Sequence, residues 1–178
     1  LLPSRNFTLG QIEGAERLSG QHVEEVGYLK GRKACSACQI GCHRHVRFES
    51  ETYGTVDDVG PELEAVMSLG AQCGSTETEA VLKANELCND FGMDVITVGH
   101  IIAWAMETCE KGLIDATDLE GLDLAFGNVH AELELIRRIA TRDGRLGNLL
   151  ADGIARATET VGGEIGRASC RERVYCEV

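Results

Sequence analysis

Through the second half of the chain apolar residues return every three or four positions, and that period predicts helices. Val81, Ala84, Leu87, Cys88 and Phe91 form one stripe, preceded by Thr76-Glu77-Thr78-Glu79, which has the capping-box pattern. Gly92 predicts its stop, as a left-handed cap. Val98, Ile101, Ile102, Ala105, Met106 and Cys109 mark a second helix, ended by Lys111-Gly112. Asp115 to Gly127 reads as a loop. Asn128 predicts the cap of a helix carrying Val129, Leu133, Ile136, Ile139 and Ala140, closed by Gly144. A last helix is expected from about Asn148 to Val161, with Leu149, Leu150, Ile154 and Ala157 on its apolar face.

The first half is less periodic. Residues 1–34 are Gly-rich and polar and predict an extended lead-in followed by a short helix around Ile12 to Leu18. In Gly60-Pro61-Glu62-Leu63-Glu64, Pro61 suits the first position of a helix, and Glu62 and Glu64 suit its positive end. Residues 43–59 are polar and lack apolar periodicity, so they read as loop, and no strand signal matches the helical ones. The expected class is mainly α.

Composition narrows the picture. The 178 residues are 43% hydrophobic and 26% charged, the balance of a globular protein with room for one core. Aromatics are only 4%, so that core must be aliphatic. With 29 acidic and 17 basic residues the net charge is −12, which argues against nucleic acid and anionic membrane as partners. No apolar run reaches the length of a membrane span. The sequence opens on Leu1-Leu2-Pro3, without an initiator Met or a signal peptide, and reads as a piece of a longer protein. Eight cysteines without a secretory signal predict a reducing, cytoplasmic setting and metal chemistry rather than disulfides.

The densest chemistry is Ala34-Cys35-Ser36-Ala37-Cys38-Gln39-Ile40-Gly41-Cys42, spaced C-x2-C-x3-C. That spacing lets three thiolates converge from one turn on a soft-metal site, and Gly41 keeps a side chain out of the way. An iron–sulfur cubane takes four ligands, so a fourth would come from elsewhere. His43 and His45 follow at once, which keeps a zinc site open beside the cluster, and unliganded thiols are the third reading.

Several stretches in order resemble one family: Arg5-Asn6-Phe7, the cysteine turn, Gly60-Pro61-Glu62-Leu63-Glu64, Lys83-Ala84-Asn85-Glu86-Leu87-Cys88-Asn89, Phe91-Gly92-Met93-Asp94 and Glu110-Lys111-Gly112. Over residues 1–163 they look like the tungsten- or molybdenum-pterin aldehyde:ferredoxin oxidoreductases. The resemblance implies the mainly helical middle domain of that fold, incomplete, without the family's N-terminal β-rich domain and last helical domain. It implies a metal held between two pterin dithiolenes beside a [4Fe–4S] cluster, aldehydes oxidised to carboxylates, and electrons passed singly to ferredoxin. A homodimer is compatible with it, and a piece this size is expected to be inactive alone.

By position, Cys35, Cys38 and Cys42 match three cluster ligands, the fourth lying beyond this chain. Asn89, Gly92, Met93 and Asp94 match a pterin-binding Asp-x-x-Gly-Leu-Asp motif, with Asn89 and Met93 departing from it. Glu64 matches a glutamate near the metal and is the candidate acid–base; its other reading is a first-turn helix acid. Lys83 and Glu86 stand where some members carry a Glu-x-x-His iron site, so that site is expected to be missing. The rival readings are a relative acting on another substrate, such as an aromatic thioester reductase subunit, and a small zinc-stabilised helical module.

Cys73, Cys88 and Cys109 fall at apolar helix positions and read as core. Trp104 and Met106 read the same way, and His43 and His45 as solvated loop residues. Residues 164–178 break from the preceding pattern after Gly162-Gly163 and resemble the translation of a sequencing adapter, so they read as a non-native tail.

Overall fold

A computed structural model describes residues 2–161; the expected tail at 164–178 lies outside the described residues. A 3₁₀ turn (Ala15–Leu18) and a short helix α1 (Gly20–Glu25) lead into an antiparallel sheet, β1 (Leu29–Lys33), β2 (His43–Ser50) and β3 (Gly54–Gly60), in that spatial order. Helices follow: α2 (Leu63–Leu69), a 3₁₀ turn (Ala71–Cys73), α3 (Thr78–Asp90), α4 (Val95–Glu110), the single turn α5 (Ala116–Leu119), α6 (Val129–Thr141), α7 (Gly144–Leu150) and α8 (Ile154–Val161). The described residues are mainly helical, as expected.

The expected loop at 43–59 is instead the centre of the sheet. Val46 and Phe48 alternate with exposed Arg47 and Glu49, and Val56 is fully buried on β3. The period-2 pattern is short and its outer face highly charged, so pairing rather than propensity makes these strands. The sheet is fastened to α3. Asn85 Nδ2 donates to the Val59 carbonyl at 2.8 Å, and the Asp57 N–H donates to Glu86 Oε1 at 3.1 Å. The hydroxyls of Tyr28 and Tyr53 donate to Glu79 and Glu77 at the start of α3.

The helix starts and stops are partly displaced. Helix α2 begins at Leu63 with Glu62 as its N-cap, so Pro61 precedes the helix rather than opening it. The capping box at 76–79 does not form: Glu77 is the cap residue, and the Glu79 carboxylate that would close the box accepts from Tyr28 instead. Helix α6 is closed by Arg142 at φ 54, not by Gly144, which opens α7. The single last helix is two, broken before Ile154 by Gly153 at φ +90. The short helix expected around Ile12 to Leu18 is only the 3₁₀ turn, with α1 behind it.

The core is aliphatic around Trp104, with Leu69, Ile102, Leu135, Ile136, Leu146 and Leu150 almost fully enclosed. Helices α2 and α4 cross in backbone contact. A Cβ on Gly99 would stand 2.5 Å from the Ser68 carbonyl carbon, so only glycine fits the crossing. Arg5, Asn6 and Phe7 all take left-handed backbone, φ 48, 49 and 62. That strain is held by Arg5 N–H to Ala71 O and Asn6 N–H to Gln72 O, both 3.0 Å, and by Asn6 Nδ2 to Glu107 Oε2 at 2.5 Å. The Arg-Asn-Phe stretch thus pins the lead-in to α4.

Candidate functional site

The three cysteines occupy the loop joining β1 to β2. Ala37 (φ 59) and Gly41 (φ 57) fold it, and the Cys38 N–H closes a turn onto Cys35 O at 3.0 Å. Cys35 and Cys42 are exposed and Cys38 half-buried. The backbone N–H groups of Gly41 and Ile40 point at the Cys38 sulfur and pull its pKa below the ordinary thiol value. Cys35 Sγ lies 3.4 Å from His43 Nε2. Ligand atoms of Cys42, His43 and Glu62 all lie within 4.8 Å of one another.

The other cysteines differ. Burial pushes the Cys88 thiol up to about 12 and Cys109 to about 11, and raises fully buried Cys73 as well. These are core thiols, poor ligands for want of thiolate, as their apolar spacing predicted.

Beside the loop, where β3 ends and the N-termini of α2 and α4 meet the C-terminus of α3, lies a cavity of about 390 Å³. His43, Asp58, Glu62, Glu64, Asn85 and Asn89 line it with Pro61, Ala65, Val95 and Ile96. Glu64 is an exposed first-turn acid of α2, so both of its expected roles share one position. Asn89 Nδ2 donates to Asp58 Oδ2 at 2.6 Å.

Gly92, Met93 and Asp94 form the turn between α3 and α4. Gly92, at φ +68, is the predicted left-handed cap: its N–H meets Asn89 O at 3.0 Å and that of Met93 meets Cys88 O at 2.8 Å. Asp94 caps α4, accepting from the Thr97 N–H at 2.7 Å. These three lie next to the cavity in sequence, but its wall is made by Asn89 on one side and Val95 and Ile96 on the other. The fold therefore gathers Glu64, Asn89 and His43 around one space, with the cysteine loop adjoining through Cys42-His43. Lys83 and Glu86 pair with each other at 2.5 Å.

Sequence reasoning missed His43, Glu62, Asp58 and Asn85 as cavity residues. His43 and Asp58 fall in the stretch read as loop, and strand alternation over 43–60 was the available signal. Asn85 lies within Lys83-Ala84-Asn85-Glu86-Leu87-Cys88-Asn89, buried at a helix position where only a tertiary partner explains an amide.

The sequence model of "Aldehyde ferredoxin oxidoreductase, domains 2 & 3" matches residues 1–170. The chain belongs to the aldehyde ferredoxin oxidoreductase family. It is 37% identical over 166 residues to the tungsten-containing aldehyde ferredoxin oxidoreductase of Pyrococcus abyssi, covering 92% of this chain and 26% of that protein. It is 28% identical over 156 residues to an aliphatic sulfonate oxidoreductase, WOR-like subunit, of Pyrococcus furiosus, covering 87% of this chain and 24% of that one. The fold is shared with the active-site complex BamBC of benzoyl-coenzyme A reductase, solved with 1,5-dienoyl-CoA: TM-score 0.67 at 20% identity, over 91% of this chain and 24% of that one. The chain spans about a quarter of the length of the curated relatives it matches.

Proposed function

We propose that these residues form the cluster-bearing, cofactor-facing part of a tungsten- or molybdenum-pterin oxidoreductase that oxidises aldehydes to carboxylates and passes electrons through a [4Fe–4S] cluster to ferredoxin. The observation that carries this reading is the adjacency of the thiol loop to the cavity holding Glu64 and Asn89, in a chain of this family. The donor set fits the groups implied. Three thiols on one loop, one with a lowered pKa, suit iron and sulfide; a cavity rimmed by amides and carboxylates suits a polar heterocycle.

Cys35, Cys38 and Cys42 would supply three cluster ligands, and the Asn89–Asp94 segment would hold one pterin. When bound, the pterin metal would supply two-electron redox chemistry and the cluster a one-electron relay. The Asn89 amide both donates and accepts, so it can orient a ring that does both. Aldehyde plus water gives carboxylic acid, two electrons and two protons, and the Glu64 carboxylate takes a proton from the adding oxygen. His43 fixes the loop through its contact with Cys35. Among the described residues no helix is long and apolar enough to cross a membrane, which accords with a cytoplasmic enzyme.

The likeness to an aliphatic sulfonate oxidoreductase subunit favours a second reading, the same redox site serving another substrate. The test is anaerobic purification of the holoenzyme, with iron, zinc, tungsten and molybdenum measured beside low-temperature spin resonance. Aldehyde-dependent reduction of a viologen dye is then compared with thioester-dependent oxidation of the reduced dye. Iron with pterin metal and aldehyde turnover is the expected result. Stoichiometric zinc without iron would leave a zinc-stabilised helical module instead.

A further inference from the structure

Two asparagines one turn apart on α3 are pinned to β3 in the same way. Asn85 Nδ2 donates to the Val59 carbonyl at 2.8 Å, and Asn89 Nδ2 donates to Asp58 Oδ2 at 2.6 Å. A carbonyl and a carboxylate accept, so neither amide can turn over without setting oxygen against oxygen. Both amide oxygens are thereby left over, and neither accepts a hydrogen bond among the described residues. Asn85 is only 4% exposed. Its Oδ1 nevertheless keeps contact with open space, and the space that Asn85 borders is the cavity. Asp58, Glu62 and Glu64 add carboxylates to the same wall.

We propose that Asn85 is a recognition residue of this cavity: its Oδ1 accepts an N–H from the bound ring and, with Asn89 Oδ1, selects an occupant that carries N–H donors, an amino-substituted nitrogen heterocycle. The inference rests on the reading of the cavity as a pterin site, and it adds a residue outside the Asn89–Asp94 segment. An occupant that expels water from the cavity must donate to these oxygens or leave them unpaired, and an unpaired buried acceptor is costly. A ring edge that offers only carbonyl oxygens would face the two amide oxygens and the carboxylates, acceptor against acceptor. The bond to Val59 also ties α3 to β3, but that tie uses only the donor half of the amide. It gives no reason for an oxygen to stand at the cavity, where a side chain that donates without accepting would hold β3 as well. Because Val59 fixes the amide's direction before anything binds, the acceptor is already in place and little ordering remains for the ligand to supply.

The experiment uses the full-length protein, unmodified and as Asn85→Ala. Its metal cofactor is measured as purified and then removed. The cofactor-free protein is titrated, by fluorescence quenching, with pterin and with lumazine, in which a carbonyl oxygen replaces the amino group. The unmodified protein is expected to bind pterin about tenfold or more tightly than lumazine. Asn85→Ala is expected to cut this preference to about twofold or less. Loss of the tie alone would weaken both ligands equally, so an unchanged preference in the variant would overturn the recognition role. Equal affinities for the two ligands, or no binding of either, in the unmodified protein would overturn it too. Should Asn85→Ala fail to fold, a crystal structure of the unmodified protein with pterin decides. A ring N–H donor within about 3.2 Å of Asn85 Oδ1 supports the role, and none there overturns it. An unmodified protein that carries no pterin metal as purified would instead count against the enzymatic reading, and the affinity ratio would still judge Asn85.

Discussion

Asn89 Nδ2 donates to Asp58 Oδ2 across the mouth of the cavity, at 2.6 Å. The resemblance implied an aspartate at this position, and the contact suits the amide that stands here instead. With Asp58 on β3, an amide at 89 makes a hydrogen bond where a second carboxylate would face the first. Asn89→Asp is expected to lower stability at pH 7 by about 0.5–1 kcal/mol, since both groups reach solvent. The facing carboxylates would titrate above their unfolded values, so the deficit should fade as pH falls through the raised pKa. Thermal midpoints at pH 7 and pH 4 check this. An equal deficit at both would mean that geometry rather than charge is responsible.

Glu64→Gln keeps the shape of a first-turn acid but cannot take a proton. Turnover in the holoenzyme is expected to drop roughly 100-fold. Iron and pterin-metal content should stay the same, because the proposed ligands are elsewhere. Steady-state rates across a pH range check it; unchanged turnover would leave Glu64 as a helix-start residue.

Gly99→Ala tests the crossing that positions Glu64 and the Asp94 cap relative to each other. The new Cβ would meet the Ser68 backbone at 2.5 Å, so α2 and α4 must separate. A loss of about 1–3 kcal/mol is expected in chemical denaturation. Gly92→Ala meets no atom within 4 Å, so its cost, about 1 kcal/mol, comes from the left-handed backbone alone.

Glu132 is buried in α6, and desolvation holds its carboxyl well above the usual value, only partly countered by a hydrogen bond with Cys73. Cys73, Cys88 and Tyr53 face it, and its charge raises all three. For a carboxyl whose folded pKa is raised, the stability contribution is full below the unfolded value of 4.5 and is lost as pH rises through the folded one. Glu132→Gln should therefore gain on the unmodified chain as pH goes from 4.5 to 8, at up to about 1.4 kcal/mol per pH unit. Denaturation midpoints at several pH values check it; parallel curves would mean that the carboxyl is ionised in place.

The sequence by itself determined the helices whose stripes were long. Helices α3, α4 and α6 appear where Leu87, Ile102 and Ile136 recur, because a 3.6-residue period is a local property and needs no partner to be read. It also supplied Gly92 as a left-handed stop, Asn128 as a cap, and the cysteine spacing, all settled within a few residues. The ordered motifs carried the family, which the comparisons then showed. Tertiary structure decided the rest. The strands at 43–60 exist because Val46, Phe48 and Val56 find the helices and because Asn85 and Glu86 satisfy the edge of β3. The capping box does not form: the Glu79 carboxylate accepts instead from Tyr28, distant in sequence. The cavity could not be read locally, since Asp58, Glu64 and Asn89 meet there only after a strand and three helix ends converge. Hydrophobic period is written in neighbours; the pairing of polar groups across the fold is fixed only once the chain has closed.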